Sequence, residues 1–151
     1  MAEPVLPQAT ASNSAEAAGG TAGVTARPVR LTVPADKTYV ALVRSAASHL
    51  GARLGLTIQE LTDLRLAVDE ACGLLLLPGE FQTTGAELHC RFDEYPDRLA
   101  VTVSAEAEES APDVDGFGWS VLSALVDELR WSYQDGWAKV ELVKRATAAE
   151  R

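Results

Sequence analysis

From Val29 the chain alternates, with Val29, Leu31 and Val33 apolar and Arg30 and Thr32 polar. A period of two predicts a strand with one buried face. Pro34, which has no amide proton, ends it. At Asp36 the period changes. Aspartate is a good N-cap, and Val40, Val43, Ala47, Leu50 and Leu54 recur at spacings of three and four. These predict a helix to about Leu54, closed by Gly55. Thr57-Ile-Gln-Glu60 then has the form of a capping box, in which hydroxyl and carboxylate each satisfy an unpaired backbone donor. The stripe of the helix that follows is Ile58, Leu61, Leu64, Val68, Cys72 and Leu75, and Pro78-Gly79 stops it.

Leu88, Cys90 and Phe92 alternate with polar residues, as do Leu99, Val101 and Val103, and Tyr95-Pro-Asp-Arg98 between them is turn chemistry. This pattern predicts an antiparallel hairpin with one face buried. Glu106 to Asp115 is an acidic loop without periodicity. A third helix is predicted from about Trp119 to Leu129, with Val121, Leu122, Leu125, Val126 and Leu129 inward. Trp131 and Tyr133 lead to Asp135-Gly136, a hairpin turn signal, and Ala138, Val140 and Leu142 alternate in the closing strand.

The predicted order is strand, helix, helix, strand, strand, helix, strand, strand. The elements do not alternate strictly, which argues against a doubly wound parallel sheet. The expected class is α+β: a two-layer sandwich of a mostly antiparallel, mixed sheet with helices on one face. One domain is expected over residues 29–145, as befits a chain of 151 residues. Residues 1–28 are small, polar and free of aromatics. Such a segment buries too little apolar surface to offset its ordering entropy, so a disordered tail is expected there. Residues 146–151 are expected to fray.

Thirteen basic and 22 acidic residues give a net charge of −9. That balance opposes binding to phosphate backbones and anionic membranes, and suits either a partner with a basic face or simply solubility. No apolar run approaches the roughly 18 residues a spanning helix requires, and the first residues lack the pattern of a secretory signal. The expected compartment is the cytoplasm, with Cys72 and Cys90 reduced. Cys72 reads as a small core hydrophobe. His49 and His89 stand alone, without a partner arrangement for catalysis. The three tryptophans read as core or sheet-face residues.

Leu64-Arg-Leu-Ala-Val-Asp-Glu-Ala-Cys72 resembles the helix that carries the N box of histidine-kinase-like ATPases, and in particular that of the bacterial anti-sigma-factor serine kinases. Other features are similar to that family. They are Leu31-Thr-Val-Pro-Ala-Asp36 before a helix, Gly116-Phe-Gly118 leading into Trp119-Ser-Val-Leu-Ser-Ala-Leu-Val-Asp-Glu128, and the closing strand pair. The resemblance covers residues 29–145.

It implies that Glu70 corresponds to the catalytic base, and Gly116 and Gly118 to the remnant of a nucleotide-binding loop. The family places a magnesium-ligating asparagine four positions after the acid, one helical turn on and on the same face. Here that position is Leu74, which has no oxygen for a cation that demands hard oxygen ligands. Pro78 stands where the family has a histidine. The adenine-reading Asp-x-Gly-x-Gly box is replaced by Ser104-Ala-Glu-Ala-Glu-Glu109, whose carboxylates would face phosphate unfavourably. Glu70 can equally be a carboxylate paired with Arg65 or Arg44 on a scaffold helix.

The expected function is an anti-sigma-type regulator with a degenerate nucleotide site and no bound cofactor. Its expected partners are a sigma factor and an anti-anti-sigma factor, with homodimerisation open and no direct contact to nucleic acid or membrane. Two alternatives are an active serine/threonine kinase using ATP and magnesium on an anti-anti-sigma factor, and an accessory subunit pairing with an intact paralogue. The resemblance points to Arg44 on the opening helix as a partner-binding residue. Trp119, beside the acidic loop, is a candidate anchor because tryptophan is favoured at interface hot spots.

Overall fold

A computed structural model describes residues 28–76, 85–107 and 116–147. The elements run β1 (Val29–Pro34), α1 (Lys37–Leu54), α2 (Ile58–Leu76), β2 (Glu87–Glu94), β3 (Arg98–Glu106), α3 (Phe117–Leu125), β4 (Glu128–Gln134) and β5 (Trp137–Arg145). Their order along the chain is the predicted one. The described strands form a five-stranded sheet in the order β1-β2-β3-β5-β4, and every pairing is antiparallel.

The register turns the alternating sequences into layers. Leu31, Cys90, Val103, Val140 and Trp131 stand side by side across all five strands, as do Val29, Phe92, Val101, Leu142 and Leu129. Most of these side chains join Val43, Ala47, Leu64, Val68, Ala71 and Leu122 of the helices in one core. Phe92, Leu64, Leu122 and Leu142 are among its fully buried members. Each such side chain contributes on the order of 1.5–3 kcal/mol by leaving water. Burial pushes the pKa of both Cys72 and Cys90 up, so the thiols stay protonated and act as packing groups.

The helix ends follow local chemistry. Asp36 caps α1, its Oδ1 accepting the Thr38 N–H at 2.7 Å. Gly55 closes α1 in the left-handed region at φ 99°, a conformation glycine adopts without strain. The α2 box forms in both directions. The Thr57 N–H donates to Glu60 Oε1 at 2.8 Å, and the Glu60 N–H to Thr57 Oγ1 at 3.1 Å. Gly51 permits the α1–α2 approach, because a Cβ there would lie 2.9 Å from methyls of both Leu56 and Leu61.

Three expectations are corrected. Ile58, placed on the inner stripe of α2, is 83% exposed, and Leu56 fills the core position just before the helix. The third helix does not reach Leu129. It ends at Leu125, Val126 is extended, and Leu129 and Trp131 belong to β4. Backbone pairing with β5 decides this boundary. The Asp127 N–H donates to Val143 O, and Asp127 Oδ2 accepts the Arg145 N–H at 2.7 Å. Finally, the chain is anchored past Arg145. Ala146 is buried, and Thr147 donates through both its N–H and its hydroxyl to Glu60 Oε2, at 3.0 and 2.7 Å. Residues 1–27, Pro78-Gly79, 108–115 and 148–151 lie outside the described residues.

Candidate functional site

Two places in the fold bring together residues that the sequence singled out. The first is the junction of α2 with the start of α3. Glu70 and Leu74 are one turn apart on α2 and share a face. Gly118, the second residue of α3, rests against both. A Cβ at Gly118 would lie 2.5 Å from Glu70 Oε2 and 3.7 Å from Leu74 Cδ2. Glu70 is half-buried there. Gly116 is the N-cap of α3 but offers no side chain to cap it.

At the position where the resemblance expects a metal ligand, Leu74 carries only methyl groups, and the Glu70 carboxylate lies close to Gly118. Among the described residues no cluster of three His, Cys, Asp or Glu side chains could hold a cation. Ser104 and Ala105, in the region of the missing adenine box, are ordinary β3 positions opposite Lys139 and Ala138.

The second place is the outer surface of the helical layer. Arg44 of α1 reaches across to α2 and pairs with Asp69 at 2.5 Å, rather than with Glu70. Around this pair lies a surface pocket of about 420 Å³, lined by Arg44, Thr62, Arg65, Leu66 and Asp69. Leu66 is 53% exposed, as is Leu42 on α1. Arg65 makes no ion pair among the described residues. The pocket therefore brings together a guanidinium without an ion pair among the described residues, a hydroxyl and an aliphatic wall. Periodicity could not reveal it, because Leu66 and Arg65 lie off the core stripe of α2 and the pocket requires α1 beside it.

Trp119 is partly buried against the core. The exposed aromatic beside it is Phe117, at 84%, a residue the sequence reading passed over. Trp137 stacks edge-on with His89 at 5.2 Å, and His89 also lies 3.3 Å from Thr32 Oγ1. Both belong to the sheet face opposite the core. No described helix is long and apolar enough to cross a membrane.

Comparison with known proteins agrees with this architecture. The family model described as "Histidine kinase-like ATPase domain" matches residues 33–144. The chain is 29% identical over 127 residues to the serine-protein kinase RsbW of Bacillus subtilis, covering 72% of this chain and 79% of that protein. It is 33% identical over 111 residues to the anti-sigma-F factor RsbW of Mycobacterium tuberculosis, covering 73% of this chain and 64% of that protein. A crystal structure of the RsbU and RsbW domains of a Mycobacterium tuberculosis protein superposes with a TM-score of 0.63 at 17% identity. That match covers 79% of this chain and 32% of the other, and bears on the fold. The strand alternation, the Glu70 helix and the Gly116–Gly118 segment thus find their common explanation: the chain belongs to the histidine kinase-like ATPase domain family, where its relatives include the anti-sigma-factor serine kinases.

Proposed function

We propose that this chain is an anti-sigma-type regulatory protein that binds a sigma factor, an anti-anti-sigma antagonist, or each in turn, without using nucleotide. The relatives' names support the regulatory role. The observation that supports the nucleotide-independent part is Leu74, one turn after Glu70 and beside Gly118, a side chain with no oxygen for the metal that phosphoryl transfer needs. With no group transfer to perform, binding itself is the activity.

The binding face in this reading is the α1–α2 surface around Arg44. The Arg44–Asp69 pair fixes one guanidinium in place, Arg65, which has no ion pair among the described residues, engages a partner carboxylate, and Leu42 and Leu66 supply apolar contact. Such a mixture of an arginine anchor and aliphatic surroundings is typical of interface cores. The net charge of −9 acts at longer range. It favours encounter with a protein whose own face is basic, as a promoter-binding factor must be, and covering that face would exclude DNA by charge and bulk. Steering of this kind raises the association rate and weakens with salt.

The test is co-expression and pull-down against the sigma factors and anti-anti-sigma proteins of the source cell, with and without magnesium-ATP, followed by kinetics on the retained pair. The expected result is a complex that forms equally well without nucleotide, whose on-rate falls between low and physiological salt. Arg44→Ala and Arg65→Ala should each weaken it at least tenfold. Retention of neither class of protein, or retention that strictly requires ATP, defeats the reading. Phosphate transfer to a retained antagonist would establish the kinase alternative instead.

A further inference from the structure

The last residues of a domain fray unless something ties them down. Of Lys144, Arg145, Ala146 and Thr147, only Ala146 brings an apolar side chain to bury. The fastening of this segment is polar, and it reaches several parts of the fold. Thr147 donates its N–H and its hydroxyl to Glu60 Oε2 in the first turn of α2, at 3.0 and 2.7 Å. The Ala146 N–H donates to Asp97 O in the β2–β3 turn at 2.9 Å. The Arg145 N–H donates to Asp127 Oδ2, just past α3, at 2.7 Å, and its guanidinium pairs with Glu128 of β4. Lys144 joins two helices. Its side chain is only 12% exposed, and Nζ donates at 2.9 Å to the carbonyl of Leu125, the last residue of α3, while lying 3.5 Å from Asp63 Oδ2 of α2. A helix C-terminus carries unpaired carbonyls and a partial negative charge, so one ammonium here serves α2 and α3 together.

We infer that residues 144–147 form a strap that couples the first turns of α2 to the end of α3, so that the two helix ends loosen together and not independently. Thr147 seats the strap on Glu60, and the seated strap holds Lys144 between Asp63 and Leu125. Polar ties at a chain end make a natural unit of local opening, because little apolar surface has to be exposed to release them. The turns of α2 that the strap holds also carry Thr62, Arg65 and Leu66 of the surface pocket. On the docking reading given above, a partner seated on that pocket is sensed at α3, and by linkage whatever holds α3 changes the affinity of the pocket. That consequence rests on the docking reading, whereas the strap is a property of the chain alone.

The experiment is amide hydrogen exchange on the full chain, comparing Thr147→Val, Lys144→Met and the double variant with the wild type. The Thr147 side chain bonds to α2, yet Thr147→Val should accelerate exchange both in Leu61 to Leu66 and in Leu122 to Leu125. The expected factor is on the order of tenfold, the scale for losing a hydrogen bond to a charged group. Thr147→Ser keeps the hydroxyl and should retain wild-type protection in both segments. Lys144→Met should loosen the same two segments, and the double variant should add little to either single change. Exchange from Cys90 to Phe92, in the middle of β2, should stay at the wild-type rate in every variant. Acceleration confined to α2 in Thr147→Val, full additivity of the two changes, loss of protection in Thr147→Ser, or equal acceleration in β2 would each overturn the strap. Where Thr147→Val loosens both helix ends but leaves the affinity of a retained partner unchanged, the strap stands and the docking face does not lie on α2.

Discussion

Glu60→Gln is the substitution whose consequences the structure defines best. Glu60 is buried at 8% exposure, and its carboxylate accepts three hydrogen bonds. One comes from the Thr57 N–H at the head of its own helix, and two come from the N–H and hydroxyl of Thr147, 87 residues away. Burial alone would raise its pKa, but these donors outweigh it and hold the group at about 2, against an ordinary 4.5. That difference corresponds to about 3 kcal/mol favouring the ionised, folded form. Because the folded value is depressed, the stabilisation is fully present above the ordinary carboxylate value and is lost as pH falls toward 2. Glutamine keeps one acceptor but turns an amide N–H₂ toward a backbone N–H, so a donor faces a donor. At pH 7 the variant should be about 2–3 kcal/mol less stable in urea unfolding, with a midpoint temperature lower by roughly 10 °C. At pH 3.5 the gap between variant and wild type should be smaller by about 1 kcal/mol, since part of the wild-type advantage has been titrated away. Thr147→Val should be partly redundant with Glu60→Gln in a double-mutant cycle. A loss under about 1 kcal/mol at pH 7, a gap that does not narrow in acid, or strict additivity with Thr147→Val would refute the reasoning.

Gly73 sits inside α2 with nothing among the described residues within 4 Å of where a Cβ would go. Gly73→Ala should therefore stabilise the domain by roughly 0.5–1 kcal/mol, read from the urea midpoint. Gly51→Ala should go the other way despite the same gain in helix propensity. Its Cβ would press on Leu56, Leu61 and Leu64 at 2.9–3.0 Å, and overpacking of this kind costs about 1–3 kcal/mol. Calorimetry with magnesium-ATP should detect no binding in the low-micromolar range, and such binding would contradict the reading of Leu74 as a lost metal ligand.

Periodicity and capping chemistry are local properties, and the sequence by itself determined what they govern. The alternation in 88–92, 99–103 and 138–142 specified which face of each strand is buried, because a pleated strand presents its side chains alternately. Asp36 and the Thr57–Glu60 box marked helix starts, because both partners of each bond lie within three residues of one another. The resemblance of 64–72 and 116–128 placed the family before any coordinates did. What remained depended on distance along the chain. Ile58 fits the helical stripe by spacing, but only the seating of α2 on α1 shows that Leu56 takes the core position and leaves Ile58 in water. The residues 126–129 suit a helix by composition, and it is the β4–β5 ladder that draws Leu129 into a strand. Glu60 reads as a cap, and folding makes it also the anchor of Thr147. Glu70 could pair with Arg44 or Arg65 on sequence grounds. The tertiary structure gives Arg44 to Asp69 and sets Glu70 against Gly118 instead. A carboxylate bonds whichever donor the packed elements bring within about 3 Å, and no local pattern encodes a meeting between residues so far apart in the chain.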